Sequence, residues 1–324
     1  MKLQTINRLL LGGIACLLLG ACGGNSQKKE NTTARTEPSA QVQQTSQPQF
    51  PFPEIPSMLT QPEERKAYLL KHYWDKFTFA DTALVNNRDV TEQGFVNHIA
   101  LLADGTTPDD LIEESVGNFC AGMETDAHAC GVLMQMVDDY LYNPNSPYYN
   151  EKLYALYLRR MVDSPALDEA RKSTFRFKLK LIDRNQPGTQ ATSFAYQLAD
   201  GSRRTLQQTP VKGNRLLLVF YDPECPSCHE VLTEMMNDPA LAEAVAAGKV
   251  SVLAVYTEGN EEAWRKALPD MPQGWMVATD HQTVKDGALY DLKAMPSLYL
   301  LDGNKKVLLK DAPYGTIKQV LMNH

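Results

Sequence analysis

The chain predicts an all-α region followed by an α/β sheet domain, and three observations carry that reading. From Met58 to Arg184 apolar residues recur at three- and four-residue spacing, the pattern of helices that bury one face. From Gln190 onward short apolar runs alternate with helix-compatible stretches, which builds a sheet covered by helices. Between Leu216 and Glu230, in LLLVFYDPECPSCHE, an apolar run with the character of a buried strand enters a helix through two cysteines. The length, 324 residues, suits about two domains.

Composition narrows the class. A hydrophobic content of 43% with a mean hydropathy of −0.35 fits a globular body with a sizeable core. The net charge of −7 argues against nucleic acid as a partner.

The first residues read as an address. Lys2 and Arg8 precede an apolar stretch, Leu9 to Leu19, that is short for a bilayer span. Leu19-Gly20-Ala21-Cys22 then resembles the bacterial lipobox, whose cysteine is acylated and becomes the new N-terminus. Residues 1–21 are thus expected to be a lipoprotein signal peptide, with Cys22 as the lipid anchor. Gly23 is not the Asp that retains many such proteins at the inner membrane, so the expected address is the periplasmic face of the outer membrane. Residues 22–50, rich in Gln, Thr, Ser and Pro, bury too little to fold and read as a flexible tether. FPFPEIP, Phe50 to Pro56, reads as an extended segment lying on the domain that follows.

Residues 51–186 form the helical domain. Thr60-Gln61-Pro62-Glu63 is a capping-box pattern ahead of Ala67, Leu70, Trp74 and Phe77. Thr91 is placed to cap a helix carrying Phe95, Ile99 and Leu102, and Thr107-Pro108 opens one carrying Leu111, Val116 and Phe119. Thr125 to Tyr140 and a stretch begun by Ser146-Pro147 supply two more. Leu167 to Arg184 fits a strand through Phe175, Phe177 and Leu179, or a helix through Phe175, Leu179 and Ile182. The stop signals Asn185, Pro187 and Gly188 favour the helix. Methionines and aromatics here read as core, and His72, His98 and His128 as surface or satisfied polar residues.

Residues 187–324 form the α/β domain. Ser193 to Leu198 and Arg203 to Leu206 read as a hairpin across Asp200-Gly201. After the cysteine pair, Asp238-Pro239 begins a helix that Gly248 ends, Val250 to Tyr256 is a buried strand, and Asn260 caps a helix to Ala267. Trp275 to Ala278 is a strand, Thr283 to Leu289 is helical, strands flank Asp302-Gly303-Asn304, and a helix covers Thr316 to Met322.

The chemistry lies in Cys225-Pro226-Ser227-Cys228. Two thiols three positions apart can close to a disulfide and reopen. Cys225 falls at the helix N-terminus, where unpaired N–H groups and the dipole favour an anion, so it reads as the nucleophile. Cys228, one turn on, reads as the resolving thiol that attacks a mixed disulfide.

These residues resemble the thioredoxin fold of the TlpA/ResA-type thiol-disulfide oxidoreductases over roughly Ala191 to His324. The strand-CxxC-helix order and Met295-Pro296 ahead of a strand-hairpin-helix ending carry the resemblance. The helical region joined to such a domain also resembles two-domain envelope lipoproteins of the Bacteroidota type. The resemblance implies exchange of disulfides with cysteine-containing periplasmic proteins, more on the reductive side, with a membrane or periplasmic partner as electron donor or acceptor and no cofactor or metal. It implies that Pro296 is cis opposite the dithiol and that the Met295 backbone pairs with an incoming peptide. It implies a proton-shuttling Glu, for which Glu258 is the candidate; a solvated loop Glu is the other reading. Departures are visible. Glu224 stands where thioredoxins have Trp and should oppose a Cys225 thiolate. Val219 stands at the buried Asp six residues before the first Cys, and Asp222 replaces the Thr a peroxiredoxin needs.

Three competing readings stay beside this one. The domain is a peptide-binding scaffold without turnover, CPSC is a structural disulfide, or CPSCH with His229 is a c-type haem attachment site. The strand-to-helix context weighs against haem. Of the other cysteines, Cys16 leaves with the signal. Cys120 and Cys130 are either bridged across a turn, adding on the order of 2–3 kcal/mol for so short a loop, or two buried thiols. With His128 they lack a fourth ligand for a metal.

Overall fold

The structure is a computed structural model that describes residues Gln49–Met322. The expected signal peptide, Cys22 and the expected tether before Gln49 lie outside the described residues. The described residues form one compact unit.

Helices α1 (Pro62–His72), α2 (Thr82–Asn86), α3 (Arg88–Leu102), α4 (Asp109–Met123), α5 (Ala127–Leu141), α6 (Glu151–Val162) and α7 (Glu169–Asp183) come first. Their inner faces make one continuous core, with Leu70, Phe95, Ile99, Phe119, Leu133, Tyr157 and Met161 all at 1% exposure or less. Caps set the starts as short polar residues do. Asp126 accepts from His128 and Ala129 N–H, Asn150 from Leu153 N–H, and Asp168 from Arg171 N–H. The capping box expected at Thr60 is absent: Gln61 is the N-cap, it makes no side-chain cap bond, and Pro62 opens the helix. Thr91 is not a cap either. It is buried inside α3, and its hydroxyl donates to the Leu84 carbonyl at the end of the unforeseen α2. α7 settles the ambiguous stretch as a helix: Ile182 is buried and Phe175 and Leu179 pack on the core, whereas Phe177 is 52% exposed.

Two details govern how the helical body begins and what its histidines do. Phe50, counted with the tether above, is buried against Tyr73, Trp74 and Phe77. It occupies the space a side chain at Gly94 would need, since a Cβ there would fall 2.1 Å from the Phe50 ring. His98 is buried and neutral, its pKa pushed down to about 3 by burial. Its Nδ1 accepts from Trp74 Nε1 at 3.3 Å, and Nε2 lies 2.8 Å from Ser115 Oγ, which donates to the Leu70 carbonyl. His72 pairs with Asp75 and His128 with Asn86 at the surface.

The second half holds β1 (Ala195–Leu198), β2 (Arg203–Thr205), β3 (Arg215–Tyr221), α8 (Pro226–Met236), α9 (Pro239–Ala246), β4 (Ser251–Tyr256), α10 (Glu261–Ala267), β5 (Met276–Thr279), α11 (Thr283–Asp286), β6 (Ser297–Asp302), β7 (Val307–Leu309) and α12 (Tyr314–Met322). Among the described residues the strands form one sheet in the order β2-β1-β5-β4-β3-β6-β7. β3 runs parallel to β4 and antiparallel to β6, with Phe220 opposite Ser297. The two central strands are apolar on both faces because both faces are covered. Leu216, Leu218 and Phe220 enter one core; Leu217, Val219 and Tyr221 enter the other with Cys228, Leu232 and Trp264.

Candidate active site

The site is made where β3 stops. Asp222 closes an Asx turn by accepting from Glu224 N–H at 3.0 Å, which such side chains do readily. That turn delivers Cys225 to the N-cap of α8 with extended backbone, φ −87° and ψ 122°. Pro226 takes the first helical position, where a missing N–H leaves no bond unmade. The Cys225 carbonyl accepts the first helical bond from His229 N–H at 3.1 Å.

The two thiols have different surroundings. Cys225 is half-buried; Cys228 is fully buried beneath it. Cys228 Sγ accepts from the Asp222 backbone N–H at 3.3 Å. Burial, helped by the charge of Cys225, pushes the Cys228 thiol up to about 12. Iodoacetamide is therefore expected to label Cys225 in the reduced protein and spare Cys228 at pH 8. Raising the pH to 9 should not change that, because Cys228 is then ionised only on the order of 1 part in 10³. Peptide mapping by mass spectrometry checks it; equal labelling of both thiols would contradict the assignment of roles.

The loop before β6 comes over the pair. The Met295–Pro296 peptide is cis, and the Met295 carbonyl oxygen lies 3.9 Å from Cys225 Sγ. Cys225, Cys228, Met295 and Pro296 are thus brought together by β3, α8 and the start of β6. Glu258 is not joined to them by any hydrogen bond. The chain turns at Gly259, φ +78°, and the Glu258 carboxylate pairs with Lys285 at 2.6 Å. The acid whose charge bears on Cys228 is Asp222, which sequence reasoning weighed only as a replaced Thr. Its place at i−3 from the first cysteine, at the end of a strand, was the available signal. Glu224 and His229 are exposed beside a groove between α8 and α10. Cys120 and Cys130 are free buried thiols on α4 and α5, both pushed up by burial. Among the described residues no cluster of His, Cys, Asp and Glu is arranged to hold a metal.

A central mixed sheet, a strand-to-helix dithiol, a proline loop facing it and a preceding helical body define a thioredoxin-like fold with an N-terminal extension. The family models and one relative matched over most of the chain agree. A family model described as a thioredoxin-like domain matches residues 203–311, and one described as a domain of unknown function, DUF5106, matches residues 21–185. A thioredoxin-like protein from Bacteroides caccae is 36% identical, covering 85% of this chain and 98% of its own, with a TM-score of 0.73. The C-terminal domain of a Bacteroides fragilis protein is 37% identical over 43% of this chain and 98% of its own, with a TM-score of 0.41. The thioredoxin domain of a Bacteroides vulgatus thiol-disulfide oxidoreductase is 19% identical over 42% of this chain and 98% of its own, with a TM-score of 0.35. No curated protein matches the chain. The chain belongs to the thioredoxin-like proteins, with a DUF5106 region ahead of its thioredoxin-like domain.

Proposed function

We propose that this protein is an envelope thiol-disulfide oxidoreductase that works through Cys225 and Cys228, in the reductive direction, on cysteine-containing periplasmic proteins. The observation that carries the reading is the layered pair: a half-buried Cys225 under the Met295 carbonyl at 3.9 Å, with a buried Cys228 behind it. The Cys225 thiolate attacks one sulfur of a substrate disulfide. The substrate S–S bond breaks, its other sulfur leaves as a thiolate, and a mixed disulfide forms. Cys228 gives up its proton to the departing thiolate and attacks Cys225 Sγ. The second substrate sulfur leaves as a thiolate and takes from water the proton that Cys225 had given up; the substrate has gained two electrons and two protons, and Cys225–Cys228 is oxidised. A membrane or periplasmic dithiol donor restores the pair by the reverse exchange.

The Met295 backbone offers hydrogen bonds to an extended peptide lying across the pair, which suits protein substrates. The lipobox-like Leu19-Gly20-Ala21-Cys22 supports acylation at Cys22 and attachment to the periplasmic face of the outer membrane. Titration of the pair against glutathione or dithiothreitol tests the direction. The reductive reading expects a potential near thioredoxin's, about −270 mV; a value near that of DsbA, about −120 mV, would reverse it.

A further inference from the structure

The stretch that leads into the proline loop, Ala288 to Ser297, is gripped from the helical body at successive positions. The Arg184 guanidinium donates to the Ala288 carbonyl. Asn185, with φ +54°, donates through its side chain to the Leu289 carbonyl at 2.9 Å and accepts from Thr192 N–H at 2.7 Å. Tyr142, just past α5, donates its hydroxyl to both Asp291 carboxylate oxygens, at 2.8 and 2.9 Å. Glu151, the first residue of α6, accepts from Lys293 Nζ at 2.8 Å and from Lys310 Nζ at 3.0 Å. Lys293 Nζ also donates to Asp291 and Asp311, and Asp311 accepts from Ser297 Oγ at 2.6 Å. These groups lie out of water: the side chains of Lys293, Asp291 and Lys310 are 4% exposed. They bracket Met295 and Pro296 on both sides in sequence.

We propose that Glu151 and Tyr142 are positioning residues for the Met295–Pro296 loop, so that the helical region is a working part of the dithiol site, holding the surface on which the substrate peptide lies. This rests on the exchange reaction proposed above and gives the helical region its role in it. A spacer would have no need to enclose three carboxylates and two ammonium groups against the segment that faces Cys225. Charges so buried are held in one geometry or lose their partners, and the loop inherits that geometry.

The test uses the full chain with Glu151→Gln, Tyr142→Phe and the control Lys152→Gln, whose only ion pair among the described residues is an exposed one with Asp109. Reduction of an oxidised peptide is followed as KM and kcat separately, beside the rate of Cys225 alkylation by iodoacetamide and amide exchange across residues 291–297. Each of the first two variants is expected to raise KM by about five-fold or more, to speed exchange in that segment and to leave alkylation of Cys225 unchanged. The control matches wild type throughout. Tyr142→Phe, which removes one hydroxyl, carries the test if Glu151→Gln does not fold. Wild-type KM and wild-type exchange in the variants would overturn the proposal. If the wild-type protein reduces no disulfide, the exchange reaction itself fails. The amide exchange then decides the clamp alone, faster exchange in the variants supporting it and unchanged exchange refuting it.

Discussion

Cys225→Ser is expected to reduce disulfide exchange with a protein substrate to the rate of buffer and reductant alone. Serine keeps the shape of the N-cap but its hydroxyl is not ionised at neutral pH, and no other described thiol can take over. Cys228 is fully buried with its thiol pushed up to about 12, and Cys120 and Cys130 are buried in the helical core. Cys228→Ser should behave differently. The first attack still occurs, so mixed disulfides accumulate on Cys225 and run as higher-mass species in non-reducing gels that dithiothreitol dissolves. Insulin turbidity with dithiothreitol, read for both variants, separates an enzyme from a docking scaffold. Activity of Cys225→Ser equal to wild type would remove the enzymatic reading.

Lys293→Met should lower the stability of the whole chain by about 3–5 kcal/mol, since removing one partner of a buried ion cluster leaves the others uncompensated. Burial works against the Lys293 charge, yet Asp311, Asp291 and Glu151 together outweigh it and hold its pKa above the ordinary lysine value. The same accounting applies to its partners. Glu151 stays low because Lys293 and Lys310 outweigh its burial, and Asp311 is raised because burial wins over the pull of Lys293. Methionine matches the lysine stem in bulk and supplies no charge, so Glu151 would keep Lys310 while Asp291 and Asp311 would lose their ion-pair partner. Urea unfolding by circular dichroism measures the change. Adding Asp291→Asn to Lys293→Met should recover part of the loss, because one stranded carboxylate is removed with it, whereas Glu151 keeps its pair with Lys310. A loss below about 1 kcal/mol, the scale of an exposed pair, would mean that the cluster is more hydrated than the 4% exposure of Lys293 and Asp291 implies.

How much of this was legible beforehand depended on range along the chain. Strand β3, the CPSC turn and α8 are contiguous, and apolar run, turn residues and helix onset all point one way there. The proline loop was found through a motif, because nothing local in Ala294-Met295-Pro296 says what it faces. α7 was decided by stop signals after it, and Phe177 on its outer side agrees. Misses came where a side chain chose between partners distant in sequence. Thr91 bonds back to Leu84 instead of capping a helix, and Glu258 finds Lys285, 27 positions away, in place of the dithiol. The cluster joins Lys293 to Glu151 across 142 positions, with Asp291 and Asp311 beside it. Its members look like ordinary surface charges when read one at a time. Phe50 belongs to the helical core only because Gly94 leaves room for its ring.

A single-turnover experiment asks the central question most directly. Fully reduced protein is mixed, without added reductant, with an equimolar oxidised peptide, and both products are weighed by mass spectrometry after acid quench. The account predicts two new thiols on the peptide and a loss of two hydrogens from the protein, mapped to a bond between Cys225 and Cys228. A peptide that stays oxidised while both cysteines still titrate as thiols would contradict it.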